Sequence, residues 1–228
     1  MEAKPIEKLH ADKLGKWTLS IVLLVVALFV TIIVCICLGT VYIPPGRVLS
    51  ILMGNTEGIP PAEVVIIQQV RLPRILMAGV VGACLSIAGV ALQGIFKNPM
   101  ASPSVIGISQ GAAFGASLTI VLGFTLVGGD FAIPVSAFIF AMLTLFLVYM
   151  LGKVEGALPT TTLLLAGIAV GAFFSALVSL LQILAAQGST GTMERVVFWM
   201  MGSLSMANWS QFWIVLAFLI PGFLLLFA

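Results

Sequence analysis

Acidic residues and histidine are missing from every long apolar run of this 228-residue chain, and charged residues make up only 8% of the total. A soluble domain carries about a quarter of charged residues, so that class is excluded. Transporters driven by protons or voltage keep ionisable groups at membrane depth, where those groups carry the coupling. Their absence here points to a passage whose energy comes from another subunit. No G-x-x-x-x-G-K-[ST] stretch occurs, so the chain has no P-loop for ATP. The single histidine, His10, lies in the N-terminal tail. With no acid pair, zinc spacing or nucleophile elbow, the sequence offers no enzyme active site, no metal site and no cofactor site. A net charge of +2, without a basic stripe interleaved with aromatics, speaks against nucleic acid as a partner. The three cysteines, Cys35, Cys37 and Cys84, all fall within apolar runs and read as buried spectators.

What is present is apolar surface and glycine: 61% hydrophobic residues, 23 glycines and a mean hydropathy of +1.24. Hydrocarbon forces backbone polar groups to bond internally, so such runs are membrane helices. About 20 residues cross the hydrocarbon core. The qualifying runs are Trp17–Leu38, Ile75–Phe96, Ser104–Val127, Phe131–Leu151, Thr161–Ala186 and Phe212–Ala228. The predicted fold is therefore an all-α polytopic bundle, with a tail over 1–16 and a transmembrane domain over 17–228. The first run is too long for a signal-peptide core and lacks a small-x-small cleavage site, so it reads as a retained span. The last run ends without a polar flank, which reads as truncation inside the sixth span.

Lys4, Lys8, Lys13 and Lys16 place the N-terminus in the cytoplasm. Alternation then puts all six lysines inside and Arg47, Arg71, Arg74 and Arg195 outside. Reversal would export four lysines, so the orientation stands, and the external arginines call for a purpose. Thr40–Val70 reads as an external segment with turns at Pro44-Pro45-Gly46 and Pro60-Pro61, and Val48–Met53 as a surface element. Met193–Ser203 suits a helix lying at the outer interface.

Five motifs stand out. Arg71-Leu72-Pro73-Arg74 opens the second span, with proline suited to a first helical turn. Its arginines fit either interfacial anchors or a guanidinium pair offered to carboxylates, and chemistry alone favours the anchors. Gly107, Gly111 and Gly115 recur every fourth residue, a groove for close helix contact, and Gly79, Gly82 and Gly89 do similar work in the second span. Gly167, Gly171, Ser175, Ser179 and Gln182 form one stripe along the fifth span. That stripe is either a helix interface or the wall of a water-filled path. Thr160, Thr161 and Thr162 follow Pro159 at the cytoplasmic end of the same helix, where capping accounts for one of them. Lys97–Pro103 is a short, rigid turn.

Together these residues resemble the FecCD-type permeases, the membrane subunits of ABC importers for ferric siderophores, haem and cobalamin. The resemblance rests on Arg71-Leu72-Pro73-Arg74, Gln93-Gly94-Ile95-Phe96-Lys97-Asn98-Pro99-Met100-Ala101-Ser102-Pro103, Gly107-Ile108-Ser109-Gln110-Gly111-Ala112, Leu163-Leu164-Leu165-Ala166-Gly167 and Phe198-Trp199-Met200-Met201-Gly202-Ser203. It runs from about Ile43 onward. The resemblance implies a cobalamin/siderophore importer bundle of about ten spans, six of them present, built as an inverted pair of repeats. It implies a homodimer in a prokaryotic cytoplasmic (inner) membrane, two cytoplasmic ATPase subunits and an extracytoplasmic binding protein. It also implies roles for residues. Arg71 and Arg74 would dock that binding protein, the fifth helix would line the path, and Thr160, Thr161 and Thr162 would form a cytoplasmic gate. The family's coupling helices lie after the sixth span, beyond this chain, so transport by the chain alone is not expected. The alternatives are a secondary transporter or channel working without an ATPase, and a non-transporting truncated remnant.

Overall fold

The computed structural model describes residues 6–188 and 191–227. The order is α1 (Ile6–Cys37), α2 (Pro45–Leu52), α3 (Pro61–Val65), a π-helical turn (Ile66–Arg71), α4 (Leu72–Phe96), α5 (Ile108–Leu122), a 3-10 turn (Gly129–Phe131), α6 (Ala132–Gly152), α7 (Thr160–Gln187), α8 (Thr192–Met201) and α9 (Trp209–Phe227). Among the described residues five helical segments are long and apolar enough to cross a membrane: Lys13–Cys37, Pro61–Phe96, Gly129–Gly152, Thr160–Gln187 and Trp209–Leu226. The chain divides into two compact units. One joins the chain up to Val80 with Ser205–Phe218, the other Val81–Leu204 with the chain from Leu219.

The first unit is built around the C-terminal end of α1. Ile36, Cys37, Ile43, Val48, Ile51 and Ile67 form its buried core. Val48 and Ile51, three apart, place the apolar face of α2 in that core, with Pro45 in the helix's first turn. The segment expected as an external connection over 40–70 is thus mostly helical. The second span also starts earlier than the expected Ile75: helix runs unbroken from Pro61 to Phe96. Pro61 occupies a first helical turn, so it starts the helix. Pro73, inside a regular α-helix, would clash with the carbonyl four residues back. The turn before it widens instead, and the Leu72 N–H bonds the Ile67 carbonyl five residues back.

The second unit packs α5 between α6 and α7, with α8 against α5 and α7. Its core includes Phe96, Ala101, Ile106, Val148, Val170 and Phe174. Phe114 meets Phe140 edge-on, with ring centroids 5.1 Å apart. The Phe114 ring also lies 5.5 Å from that of Phe174. The third expected span, Ser104–Val127, holds only 15 helical residues. At 1.5 Å per residue these reach about 22 Å, short of a hydrocarbon core of about 30 Å. Glycine ends it on both sides in the left-handed conformation, with φ of 80° at Gly107 and 67° at Gly123. Only glycine adopts that conformation without a steric cost.

The glycine stripe of α5 divides between two neighbours. A Cβ on Gly107 would stand 2.9 Å from the Gly167 carbonyl oxygen and the Gly171 Cα. One on Gly111 would overlap Thr144 Oγ1 and lie 2.8 Å from the Phe140 carbonyl, and one on Gly115 would lie 2.5 Å from the Ser136 carbonyl. So Gly107 seats α5 on α7, while Gly111 and Gly115 seat it on α6. Gly79, Gly82 and Gly89 differ from the expectation of close packing, since a Cβ on any of them would meet nothing within 4 Å. The turn after α4 is as tight as expected. Lys97 takes the left-handed helix-ending position, with φ of 46°. The Asn98 N–H bonds the Gln93 carbonyl at 3.2 Å. Asn98 Oδ1 then accepts the Met100 N–H at 2.9 Å.

Candidate transport sites

The four arginines have different fates. Arg47 pairs with Glu63 at 2.8 Å on the surface. Arg195 is exposed on α8. Arg71 is buried, with 8% of its surface exposed, and its guanidinium turns inward. Its Nη1 donates to the carbonyls of Ile36 (2.5 Å) and Cys37 (3.1 Å), and its Nη2 donates to the Val41 carbonyl. Ile36 and Cys37 end α1, so these are carbonyls a helix terminus leaves without partners, at the negative end of its dipole. Gly39 makes the approach feasible, because a Cβ there would stand 2.7 Å from Arg71 Nη2. This differs from a guanidinium held out for a protein partner. Docking by Arg71 would first require breaking these three bonds.

Arg74, three residues on, is half-buried. Its Nη2 donates to the Ser205 carbonyl at 2.5 Å, while its Nε has no partner. Nearby, Trp209 Nε1 donates to the Gln68 carbonyl at 2.9 Å. A cavity of about 270 Å³ lies there, lined by Ile51, Leu52, Gln68, Gln69, Leu72 and Trp209. The sequence pointed to the two arginines. Gly39, which leaves room for Arg71, and the Gln68–Trp209 pair, 141 residues apart, carry no local signal.

On α7 the five-residue stripe splits. Gly167 and Gly171 are buried against the Val105–Gly107 backbone, with a Cβ on Gly167 only 2.8 Å from the Ile106 Cα. Ser175 and Ser179 are exposed within this chain, and Ser179 Oγ donates to the Ser175 carbonyl at 3.1 Å. Gln182 Nε2 reaches Met200 Sδ of α8 at 3.4 Å. The glycines therefore fix the helix, and the serines present hydroxyls on a surface left open. Gln110, whose Oε1 is buried without a partner, has its amide carbon 3.9 Å from where a Cβ on Gly171 would sit.

Thr160, Thr161 and Thr162 form the first turn of α7, with Thr160 and Thr161 exposed and Thr162 half-buried. Pro159 holds the cap position, and no side chain caps the helix. The expectation that one threonine is spent on capping is therefore not met. Proline's fixed φ starts the helix without such a bond. No group of three or more His, Cys, Asp or Glu side chains able to hold a metal occurs among the described residues.

Long apolar helices, close glycine contacts and polar groups set at helix ends define a multi-pass helical membrane protein. Comparison with known proteins narrows the class. Residues 25–228 match the FecCD transport family. The chain is 37% identical over 200 residues to the molybdate import system permease protein MolB of Haemophilus influenzae, covering 87% of this chain and 57% of that one. It is 35% identical to the vitamin B12 import system permease protein BtuC of Klebsiella pneumoniae, covering 90% of this chain and 56% of that one. The Fe(3+)-citrate import system permease protein YfmE of Bacillus subtilis is also 35% identical, with 92% and 58% covered. A solved metal-chelate type ABC transporter in an inward-facing conformation shares 36% identity at a TM-score of 0.69, over 88% of this chain and 57% of that one. The chain belongs to the FecCD transport family, and it spans a little over half the length of these relatives.

Proposed function

We propose that this chain is an N-terminal part of the membrane-spanning permease subunit of a binding-protein-dependent ABC importer. The observation that carries this reading is the family match across residues 25–228, which includes both arginines, the α7 stripe and the threonines. The proposed cargo is a metal chelate such as a ferric siderophore, haem or cobalamin. Relatives named for molybdate, vitamin B12 and ferric citrate bracket that choice, and a separate binding protein would make it. The proposed assembly contains a second copy of the permease, two cytoplasmic ATPase subunits and an extracytoplasmic binding protein. It sits in a prokaryotic cytoplasmic membrane with the N-terminus inside, as the lysine bias supports.

In the proposed cycle, ATP-driven alternating access takes the cargo inward. Arg74 meets a carboxylate of the loaded binding protein, and Arg71 holds the end of α1 beneath it. Ser175, Ser179 and Gln182 offer polar groups along the path. Gly167 and Gly171, nearer the N-terminal end of the same stripe, seat α7 on the Val105–Gly107 backbone. Hydroxyls of Thr160, Thr161 and Thr162 close the inner end until ATP binding on the partner subunits moves the two permeases apart. None of these groups has to ionise, which agrees with helical segments whose acids, Glu63 and Asp130, stand only in their first turns.

Docking is the step to test first. Arg74→Glu in the full-length protein replaces a forked, charge-assisted donor by a repelling carboxylate. Its affinity for the binding protein should fall at least about 30-fold, a loss of about 2 kcal/mol or more. The protein should stay folded, its unfolding temperature lower by about 3–12 °C, the effect of losing one charge-assisted backbone bond. Unchanged affinity by surface plasmon resonance would remove Arg74 from the docking surface.

A further inference from the structure

We propose that Trp209 is a positioning residue for the docking arginine: its indole N–H supplies the hydrogen bond that Pro73 cannot make. The π turn sets a register in which each N–H bonds the carbonyl five residues back, as Leu72 does to Ile67. The next bond in that register would run from residue 73 to the carbonyl of Gln68. Proline has no N–H. The Gln68 carbonyl is therefore orphaned within its own helix, in an apolar setting where an unpaired carbonyl is costly. Trp209 Nε1 fills the place at 2.9 Å.

The same short segment makes a second bond to the helix. Ser205 accepts from Arg74 Nη2, so residues 205–209 hold the π turn at Gln68 and the arginine at its tip. All four groups lie in one compact unit. Losing the indole bond favours relaxation of the π turn towards ordinary α-helix. Such a change slips the register by one residue, and a residue in an α-helix spans about 100° of rotation. Arg71 and Arg74 would then turn relative to α3 and to the carbonyls that end α1. Pro73 thus does more than widen the turn before it. It leaves open a carbonyl that a distant tryptophan reads.

The docking role of Arg74 is the reading proposed above, and the test separates the two ideas. Trp209→Phe keeps the ring beside Phe212, whose centroid lies 5.7 Å away, and removes only the N–H. Pro73→Ala restores a backbone donor for Gln68. In the full-length protein, amide exchange across residues 66–72 should rise about fivefold or more in W209F, as expected for one lost buried hydrogen bond. The double variant P73A/W209F should return it towards the wild-type rate. Binding-protein affinity should fall and recover in parallel. If exchange in W209F matches wild type, or if P73A fails to restore it, the proposal is overturned whatever the docking assay gives. If exchange responds as stated but affinity is insensitive to R74E, the positioning stands and the docking role falls.

Discussion

Gly111→Ala should be among the most damaging single-methyl changes in this chain, lowering stability by about 3 kcal/mol. A Cβ at that position would overlap Thr144 Oγ1 and approach the Phe140 carbonyl to 2.8 Å. Thr144 has no room to withdraw, being fully buried with its hydroxyl bonded to that same carbonyl at 2.7 Å. The carbonyl belongs to the α6 backbone, so relief requires α5 and α6 to separate. Separation in turn strips the Phe114–Phe140 contact and loosens Gly107 from α7. Alanine's helix propensity returns about 1 kcal/mol, too little to offset the clash. Gly82→Ala is the matched control. It sits on the open side of α4, meets nothing within 4 Å, and should be neutral or mildly stabilising. Thermal unfolding of the two variants in one detergent checks the contrast, and equal midpoints would refute the packing argument.

Arg71→Met is the second change with a large expected effect, again about 3 kcal/mol, for a different reason. The substitution removes a buried guanidinium and leaves the Ile36, Cys37 and Val41 carbonyls without their donor. A bond to a charged group is worth about 1.5–3 kcal/mol, and three donated by one guanidinium, with the dipole of α1, do not add independently. Arg71→Lys keeps the charge but not the planar fork, so it should recover only part of the loss. Gly39→Ala should imitate a weak form of the same defect by pushing on Nη2. Limited proteolysis between Leu38 and Pro44 gives the readout, with cleavage faster in R71M than in wild type and intermediate in R71K. Equal cleavage in all three would show that the guanidinium does not hold α1. The pair Arg71 and Arg74 would thus separate by assay, one failing in stability and the other in docking.

Much of this architecture was legible in the sequence because hydrocarbon permits few solutions. Trp17–Leu38, Thr161–Ala186 and Phe212–Ala228 lie within three residues of the observed helix ends, the extended N-terminal start of α1 excepted. The misreadings share a cause. Composition sees apolar length but not backbone dihedrals, so Ser104–Val127 read as a full span although two left-handed glycines cut it to 15 residues. Pro60-Pro61 reads as a turn and Pro73 as a first helical turn, which puts the second span at Ile75 rather than Pro61. A π turn absorbs Pro73, and nothing local to the motif announces that turn. At the candidate sites, residue type and order located the arginines, the α7 stripe and the threonines. The partners of Arg71 at the end of α1 lie 34 and 35 residues upstream, and only the fold brings their carbonyls near.

The account rests on an energy source outside this chain, since Glu63 and Asp130, the acids within its long helical segments, stand in first turns at their ends, and the apolar stretches beyond hold no acid or histidine to couple an ion gradient. The most direct test is uptake into proteoliposomes holding the full-length permease with its cognate ATPase, and the loaded binding protein added outside. Radiolabelled cargo should accumulate only when ATP is enclosed, and collapsing the proton and sodium gradients should leave the rate unchanged. Accumulation without nucleotide, abolished by ionophores, would contradict the account.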